Sequence, residues 1–414
     1  MADICVLGLG YIGLPTAALF AVHGLEVVGV DTSARVVEEV SAGRIPIHEV
    51  GLRTLVEAAV RSGRLTASRD PQPAETFLIA VPTPLTAQHR PDLSHVENAA
   101  RSIGGVLQAG NLVVLESTVP PGTTEGLLCR VLAESGLQPG PDLHVAHCPE
   151  RVLPGRILSE LVENDRVVGG IDDESGRRAA DLYRRIVEGE IFVTSAKAAE
   201  LAKLAENSFR DVNIAFANEL AVICRRLGVD VREVIRLANR HPRVDILQPG
   251  PGVGGHCIPV DPWFIVEIAA DDARLIQLAR SVNDAMPAFV VQEVKDFLSD
   301  IEDPKVCVWG VAYKADVDDA RETPALDVIH HLEAAGLRFS LVDFHVKSFP
   351  YQMEDVESAA RDADCILLVT DHREFKFFEP EAIGAPMRTR RLFDTRSVLD
   401  RARWERAGFT VRTL

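Results

Sequence analysis

The chain has no CxxC pair, no basic segment ahead of its first apolar run, and no excess of positive charge. Each absence removes a class. Seven scattered cysteines, an odd number, exclude a disulfide framework or structural zinc site and fit a reducing cytoplasm. The net charge of −17 repels phosphate backbones, so neither nucleic acid nor an anionic membrane is expected as a partner. Residues 4–22 carry no charge and approach the length of a membrane span, but Gly8, Gly10, Gly13 and Pro15 interrupt them. The preceding Met1-Ala2-Asp3 offers no signal-peptide charge. A strand, a tight turn and a helix explain the run better. What remains is an ordinary globular composition over 414 residues, enough for two or three domains.

Short β-branched runs at 4–8, 26–31, 77–81, 112–117, 144–147, 166–169 and 191–194 alternate with helical patterns such as 96–107 and 124–135. That alternation predicts βαβ units on a parallel sheet. From residue 196 to about 226 the pattern becomes one long helix, with Leu201, Leu204, Ala205, Val212, Phe216, Leu220 and Ile223 at helical spacing. Helices at 231–239 and 273–298 flank a loop at 248–262 that is too long and Gly-rich for a plain connector. Strand signals return at 306–310, 339–343, 365–370 and 391–393, around a helix at 325–335. The expected class is α/β: two Rossmann-like doubly wound domains, 1–195 and 301–414, joined by a long central helix and helical connector, 196–300.

Gly8-Leu9-Gly10-Tyr11-Ile12-Gly13 follows the first strand and opens a helix, and Asp31 ends the next strand, 18 residues past Gly13. Glycines there permit a tight turn and bring backbone amides to a pyrophosphate at the helix N-terminus. An acid at Asp31 hydrogen-bonds ribose hydroxyls and repels a 2′-phosphate, which favours NAD over NADP. A bare GxGxxG is often only a Gly-rich turn; strand, helix, spacing and acid together point to dinucleotide binding.

Most cysteines pack as small core residues, but Cys257 follows Gly250-Pro251-Gly252-Val253-Gly254-Gly255-His256, a stretch that brings backbone close to a ligand. That makes its thiol a nucleophile candidate. His256 either activates it or is a loop histidine, and Asp261 adds a carboxylate four residues on. Lys203 and Asn207 share one helix face, as a solvated stripe or as a functional pair. Glu150-Arg151 follow the strand at 144–147, a strand end or a ligand position in α/β folds. His144, His147 and Cys148 make a poor metal set, because the two histidines point to opposite faces of a strand; no metal is expected.

In order, GLGYIGLP, VPTP (residues 81–84), ESTVPPGTT (116–124), PERVLPG (149–155), KLAENSFRDVNIAFANEL, GPGVGGHCIPVDPW and AYKADVDDARETPA resemble the UDP-glucose/GDP-mannose dehydrogenase family along nearly the whole chain. Asn239-Arg240-His241-Pro242-Arg243 and the cysteine loop are most like its UDP-N-acetyl-D-mannosamine dehydrogenase branch. The resemblance implies a cytoplasmic, NAD-dependent, four-electron oxidation of a UDP-sugar primary alcohol to a uronic acid. It implies Cys257 as nucleophile through a thiohemiacetal and thioester, Glu150 as base for hydrolysis, Lys203 and Asn207 at the oxyanions, and Asp261 holding water or Lys203. Thr83 and Thr118 join Gly8, Gly10, Tyr11, Ile12, Gly13 and Asp31 at the cofactor. Arg151, Arg210, Gly254, Lys314, Arg321 and Arg396 join Glu150, Lys203 and Asn207 at the substrate. The family's homodimer places Arg243 in the partner's site. Two positions depart from its pattern: Val50 replaces a usual Pro in Ile47-His48-Glu49-Val50-Gly51, and Ser397 follows Arg396 in place of Asn or Gly. Two rival readings are a two-electron NAD dehydrogenase and a silent NAD-binding regulator. NADH formed per sugar nucleotide, two, one or none, separates the three.

Overall fold

The computed structural model describes residues 1–47, 49–153 and 155–414; His48 and Pro154, which fall within two of the strings above, lie outside the described residues. Two compact units emerge: Met1–Glu206 with Trp263–Ala270, and Asn207–Pro262 with Asp271–Leu414.

The first unit carries eight strands: β1 (Ala2–Leu7), β2 (Val27–Val30), β3 (Leu65–Ser68), β4 (Ala74–Ile79), β5 (Leu112–Leu115), β6 (His144–His147), β7 (Arg166–Gly170) and β8 (Ile191–Ser195). Their order is β3-β2-β1-β4-β5-β6-β7-β8. The first six reproduce the doubly wound dinucleotide order, with the topological switch between β1 and β4. Alternate residues bury on opposite faces. Ile4, Val6, Leu78 and Val114 enter one core, and Cys5, Leu7, Phe77 and Val113 enter the other. Helices cover both faces, so the strands read as continuous apolar runs. One expectation needs correction: the sheet is not wholly parallel, because β7 pairs antiparallel with β6 through Ala146–Gly170 and His147–Gly169.

The second unit carries β9 (Lys305–Trp309), β10 (Arg338–Val342), β11 (Cys365–Leu368), β12 (Arg391–Asp394) and β13 (Thr410–Thr413), ordered β10-β9-β11-β12-β13 and parallel throughout. This is the other common doubly wound order. Val306 and Val308 face one core, Cys307 and Trp309 the other.

The long helix spans Ala196–Leu227. Its apolar residues do not form one buried face. Leu204 is buried, but Leu201, Phe216 and Ile223 are exposed. The buried stripe instead runs through Ser208, Asp211, Ala215 and Asn218. Two of its polar members are met from the helix Arg274–Phe297: Arg280 pairs with Asp211 Oδ1 at 2.6 Å, and the Asn218 amide donates to Asn283 at 2.9 Å, while Ser208 Oγ and Asp211 Oδ2 are buried without a hydrogen-bond partner among the described residues.

Candidate active site

In the first unit, the turn after β1 is shaped by glycine where side chains have no room. Gly8 has φ +95°, and a Cβ there would lie 2.4 Å from the Ala80 carbonyl oxygen; one on Gly13 would lie 1.9 Å from that of Gly8. Gly10 differs, with open space around it, which suits the close approach of a phosphate to backbone. Asp31 accepts from Leu9 N–H at 3.0 Å and Ser33 N–H at 2.9 Å, so the acid is fixed against the glycine turn. Across the switch, the Thr83 hydroxyl donates to the Thr118 carbonyl at 2.7 Å. These residues fit a dinucleotide. Asp31→Ser should weaken NAD by about 10- to 100-fold, the worth of a charged hydrogen bond, while relieving repulsion of NADP. Kd values for both cofactors, with the melting temperature as a folding control, check this. Native protein that uses NADP equally well overturns it.

Past β6, Glu150 is buried and held at both oxygens. Oε1 accepts the Arg151 N–H at 2.6 Å, and Oε2 accepts the Arg166 guanidinium at 3.3 Å. Arg151 itself forms a two-point ion pair with Glu206, at 2.6 and 3.1 Å. The loop that follows is pinned by Glu49, which accepts the N–H groups of Gly155 and Ile157 at 2.8 and 3.1 Å. Glu200, a residue the sequence did not flag, similarly fixes the Pro-Pro-Gly-Thr turn by accepting from Gly122 and Thr124. His147 is fully buried, and desolvation pushes its imidazole down to about 3, so it is neutral. Lys203 sits one helical turn before Asn207 on the long helix, and both are buried.

In the second unit, the Asn207 amide donates to the Asp261 carboxylate at 2.5 Å, and Arg210 donates to the Asn207 side-chain oxygen. Cys257 is exposed and stands one turn ahead of the helix Asp261–Ile268: its carbonyl accepts the Asp261 N–H at 2.8 Å. Two of the glycines before it, Gly252 and Gly254, are sterically required. A Cβ on Gly250, Gly252 or Gly254 would lie 2.6 Å from Arg396, 2.8 Å from Pro324 or 2.6 Å from Pro324. Nothing larger fits at Gly252 or Gly254, so the loop's path there is set by close packing, whereas Gly250 meets only the tip of the Arg396 side chain. His256 Nε2 lies 2.8 Å from Asp319, whose carboxylate also takes Arg321 at 2.6 Å. Burial pushes the Asp319 carboxyl up, but the bonds from Arg321 and His256 outweigh it and hold it well below the usual range.

Lys314 and Arg243 are exposed; Arg396 is half-buried, with Nε donating to the Val369 carbonyl at 2.9 Å. Among the described residues, one set of three donors, on Asp316, His345 and His372, lies within 4.8 Å. It is a hydrogen-bonded seal rather than a vacant metal cage. His372 Nδ1 accepts the Asp316 N–H at 2.9 Å, which puts the proton on Nε2, 2.9 Å from Asp343. Ser397 adopts φ +50° with its hydroxyl buried and lacking a hydrogen-bond partner among the described residues. A left-handed conformation favours the Gly or Asn usual in the family. Ser397→Gly should therefore stabilise the protein by about 1 kcal/mol, read as a higher denaturation midpoint at unchanged slope.

The chain matches three domains in order: the NAD binding domain of the UDP-glucose/GDP-mannose dehydrogenase family over residues 2–187, its central domain over 197–285, and its UDP binding domain over 307–401. A UDP-N-acetyl-D-mannosamine dehydrogenase of Methanococcus vannielii is 45% identical over 99% of this chain and 96% of its own length. An NDP-N-acetyl-D-galactosaminuronic acid dehydrogenase of Ralstonia nicotianae is 48% identical over 95% of this chain and 96% of its own. The solved UDP-D-ManNAc dehydrogenase of Pyrococcus horikoshii superposes with a TM-score of 0.93 at 41% identity, covering 99% of this chain and 98% of that one. No described helix is long and apolar enough to cross a membrane. With an NAD binding domain, a central domain and a UDP binding domain along its whole length, this chain belongs to the UDP-glucose/GDP-mannose dehydrogenase family and is an NAD-dependent UDP-sugar dehydrogenase.

Proposed function

We propose that the chain oxidises UDP-N-acetyl-D-mannosamine to UDP-N-acetyl-D-mannosaminuronate in the cytoplasm. The observation that carries this is the 45% identity, over 99% of the chain, to a protein named for that substrate. Residues 1–195 take the cofactor, 196–300 connect, dimerise and present the cysteine, and 301–414 take the UDP-sugar; the three domain matches support these bounds. Bound NAD supplies the hydride acceptor, one molecule for each of two hydrides. Gly8, Gly10, Tyr11, Ile12, Gly13, Asp31, Thr83 and Thr118 bind it. The Cys257 thiolate adds to the aldehyde left by the first hydride, giving a thiohemiacetal that can surrender a second. Lys203 and Asn207 stabilise the oxyanions, with Asp261 holding the Asn207 amide. Glu150 takes a proton from water as it attacks the thioester, and the thiolate leaves. Arg151, Arg210, Gly254, Lys314, Arg321 and Arg396 bind the UDP-sugar, although Arg151 and Arg321 first have carboxylate partners to leave or share.

The 48% identical relative favours a second reading, a UDP-sugar of the N-acetylgalactosamine series. Comparing kcat/KM for UDP-N-acetylmannosamine, UDP-N-acetylgalactosamine, UDP-N-acetylglucosamine and UDP-glucose tests both. A best substrate other than the first overturns the proposal.

The active unit in this reading is a homodimer. Phe209, Phe216, Ile223 and Leu227 are exposed by 67%, 52%, 43% and 71% along one stripe of the long helix, a face that water penalises. Arg243, exposed beyond the next helix, acts in the partner's site. Mixing Arg243→Ala with Cys257→Ala subunits should restore part of the native activity, since a heterodimer holds one intact site. No recovery after verified subunit exchange counts against it.

A further inference from the structure

Beneath Glu150 lies a buried cluster that the reaction as described does not use. Arg166, on β7, is buried and divides its donors between Glu150 Oε2 at 3.3 Å and the Cys148 sulfur at 3.7 Å. Its guanidinium also stacks over the Tyr183 ring, 4.9 Å from the centroid. The Tyr183 hydroxyl donates to Glu116 Oε1 at 2.6 Å, and Glu116 Oε2 is buried without a hydrogen-bond partner among the described residues. One buried cation thus serves two buried carboxylates. We propose that Arg166 is a positioning residue for Glu150, holding the carboxylate fixed for thioester hydrolysis. Glu116, linked through Tyr183, sets how much of that positive charge Glu150 feels. The inference rests on the reading of Glu150 as the hydrolytic base.

The geometry alone argues for a fixed carboxylate. An unpaired buried carboxylate would take up a proton and lose its capacity to accept one from water. Arg166 places a compensating charge on one oxygen while the Arg151 N–H holds the other, leaving further lone pairs for water. The groups facing Glu116 are Tyr183 from the helix Asp173–Tyr183, Arg166 from β7, and Cys148 and Glu150 past β6. Desolvation pushes the Glu116 carboxyl up to about 7, with Glu150 adding to the rise and Arg166 and Tyr183 opposing it. Glu116 therefore ionises near neutral pH. The new negative charge competes with Glu150 for Arg166. Hydrolysis should slow as pH rises through about 7, a step that belongs to Glu116.

In the hydrolytic step, water's oxygen bonds to the thioester carbon, its proton passes to Glu150, the C–S bond breaks, and Cys257 leaves as thiolate. The test isolates that step, using the best UDP-sugar of the panel with NAD. Glu150→Gln is the reference for blocked hydrolysis. Arg166→Met should keep the burst of two NADH per site and the covalent adduct on intact protein, with KM within about twofold. Its release of uronic acid should slow tenfold or more, part of the ~10²–10⁴ carried by a general base. Arg166→Lys should recover part of the rate, and Arg166→Met/Glu150→Gln should be no slower than Glu150→Gln alone. Glu116→Gln should lose the step near pH 7 in the release rate. A folded Arg166→Met that releases product at the native rate overturns the proposal, as does an additive loss in the double variant. If Arg166→Met does not fold, Arg166→Lys and Glu116→Gln decide, and a native pH profile for release in Glu116→Gln overturns it. A Glu150→Gln protein that accumulates no thioester instead refutes the role of Glu150.

Discussion

Cys257→Ala should fold, bind NAD and UDP-sugar, form at most one NADH per site, and release no uronic acid. The first hydride leaves from an alcohol and needs only a base and an acceptor. The second must leave from a tetrahedral carbon that carries both a hydrogen and an oxygen ready to become a carbonyl. A free aldehyde lacks that carbon until a nucleophile adds. Cysteine suits the task because a modest drop from its ordinary pKa of about 8.5 yields thiolate near neutral pH. Position also favours Cys257: it is exposed, whereas Cys5, Cys148, Cys307 and Cys365 are buried, and desolvation raises their thiols to about 11 or 12. Rapid-quench counting of NADH per site, with product analysis, checks it. Uronic acid formed at the native rate by Cys257→Ala ends the covalent mechanism for this protein. The substitution leaves the glycine path before Cys257 untouched, so misfolding is a poor alternative explanation.

Glu150→Gln should differ in kind, not degree. With Glu150 as the hydrolytic base proposed above, both oxidations precede its step, so about two NADH per site should appear in a burst and turnover then stall, slower than native by ~10²–10⁴. Intact-protein mass spectrometry should find the acyl group on Cys257. A burst of one, or none, places Glu150 earlier in the sequence of events. Gln keeps the shape and one acceptor for the Arg151 N–H, though it gives up the charge that Arg166 balances.

Much of this was legible in the sequence, and the failures have physical causes. The glycine turn, Asp31 and the alternation of strands with helices follow from period, spacing and β-branched runs; the order of the strands in the sheet does not. Strands β3 and β13 were missed because each is a four-residue edge strand with only one fully buried residue. Edge strands have one neighbour and a weak apolar signal. The antiparallel turn of β7 left no local mark, since a buried strand reads alike in either direction. On the long helix, periodicity found the helix but not its buried face, which carries Asp211 and Asn218 because Arg280 and Asn283 wait opposite. Such pairing is invisible one residue at a time. The same limit hid Arg166 and Glu116, whose partners lie 16 and 67 residues away in the chain. His256 is a further case: the Asp319 carboxylate beside its Nε2 lies 63 residues on in the chain.

The second sheet repeats the first in one more respect. Gly310, φ +84°, stands after β9 as Gly8 stands after β1, with its missing Cβ 2.4 Å from a carbonyl oxygen in each case. Asp343 accepts the Val311 N–H at 2.7 Å, as Asp31 accepts that of Leu9. The difference is His372, whose Nε2–H already occupies Asp343. If Asp31 holds a ribose diol as proposed above, Asp343 offers an inhibitor's diol no equivalent grip, because His372 already donates to it. Medicinal chemistry aimed at the cofactor could exploit that asymmetry, since the sheet most like its target is already plugged by the protein's own imidazole.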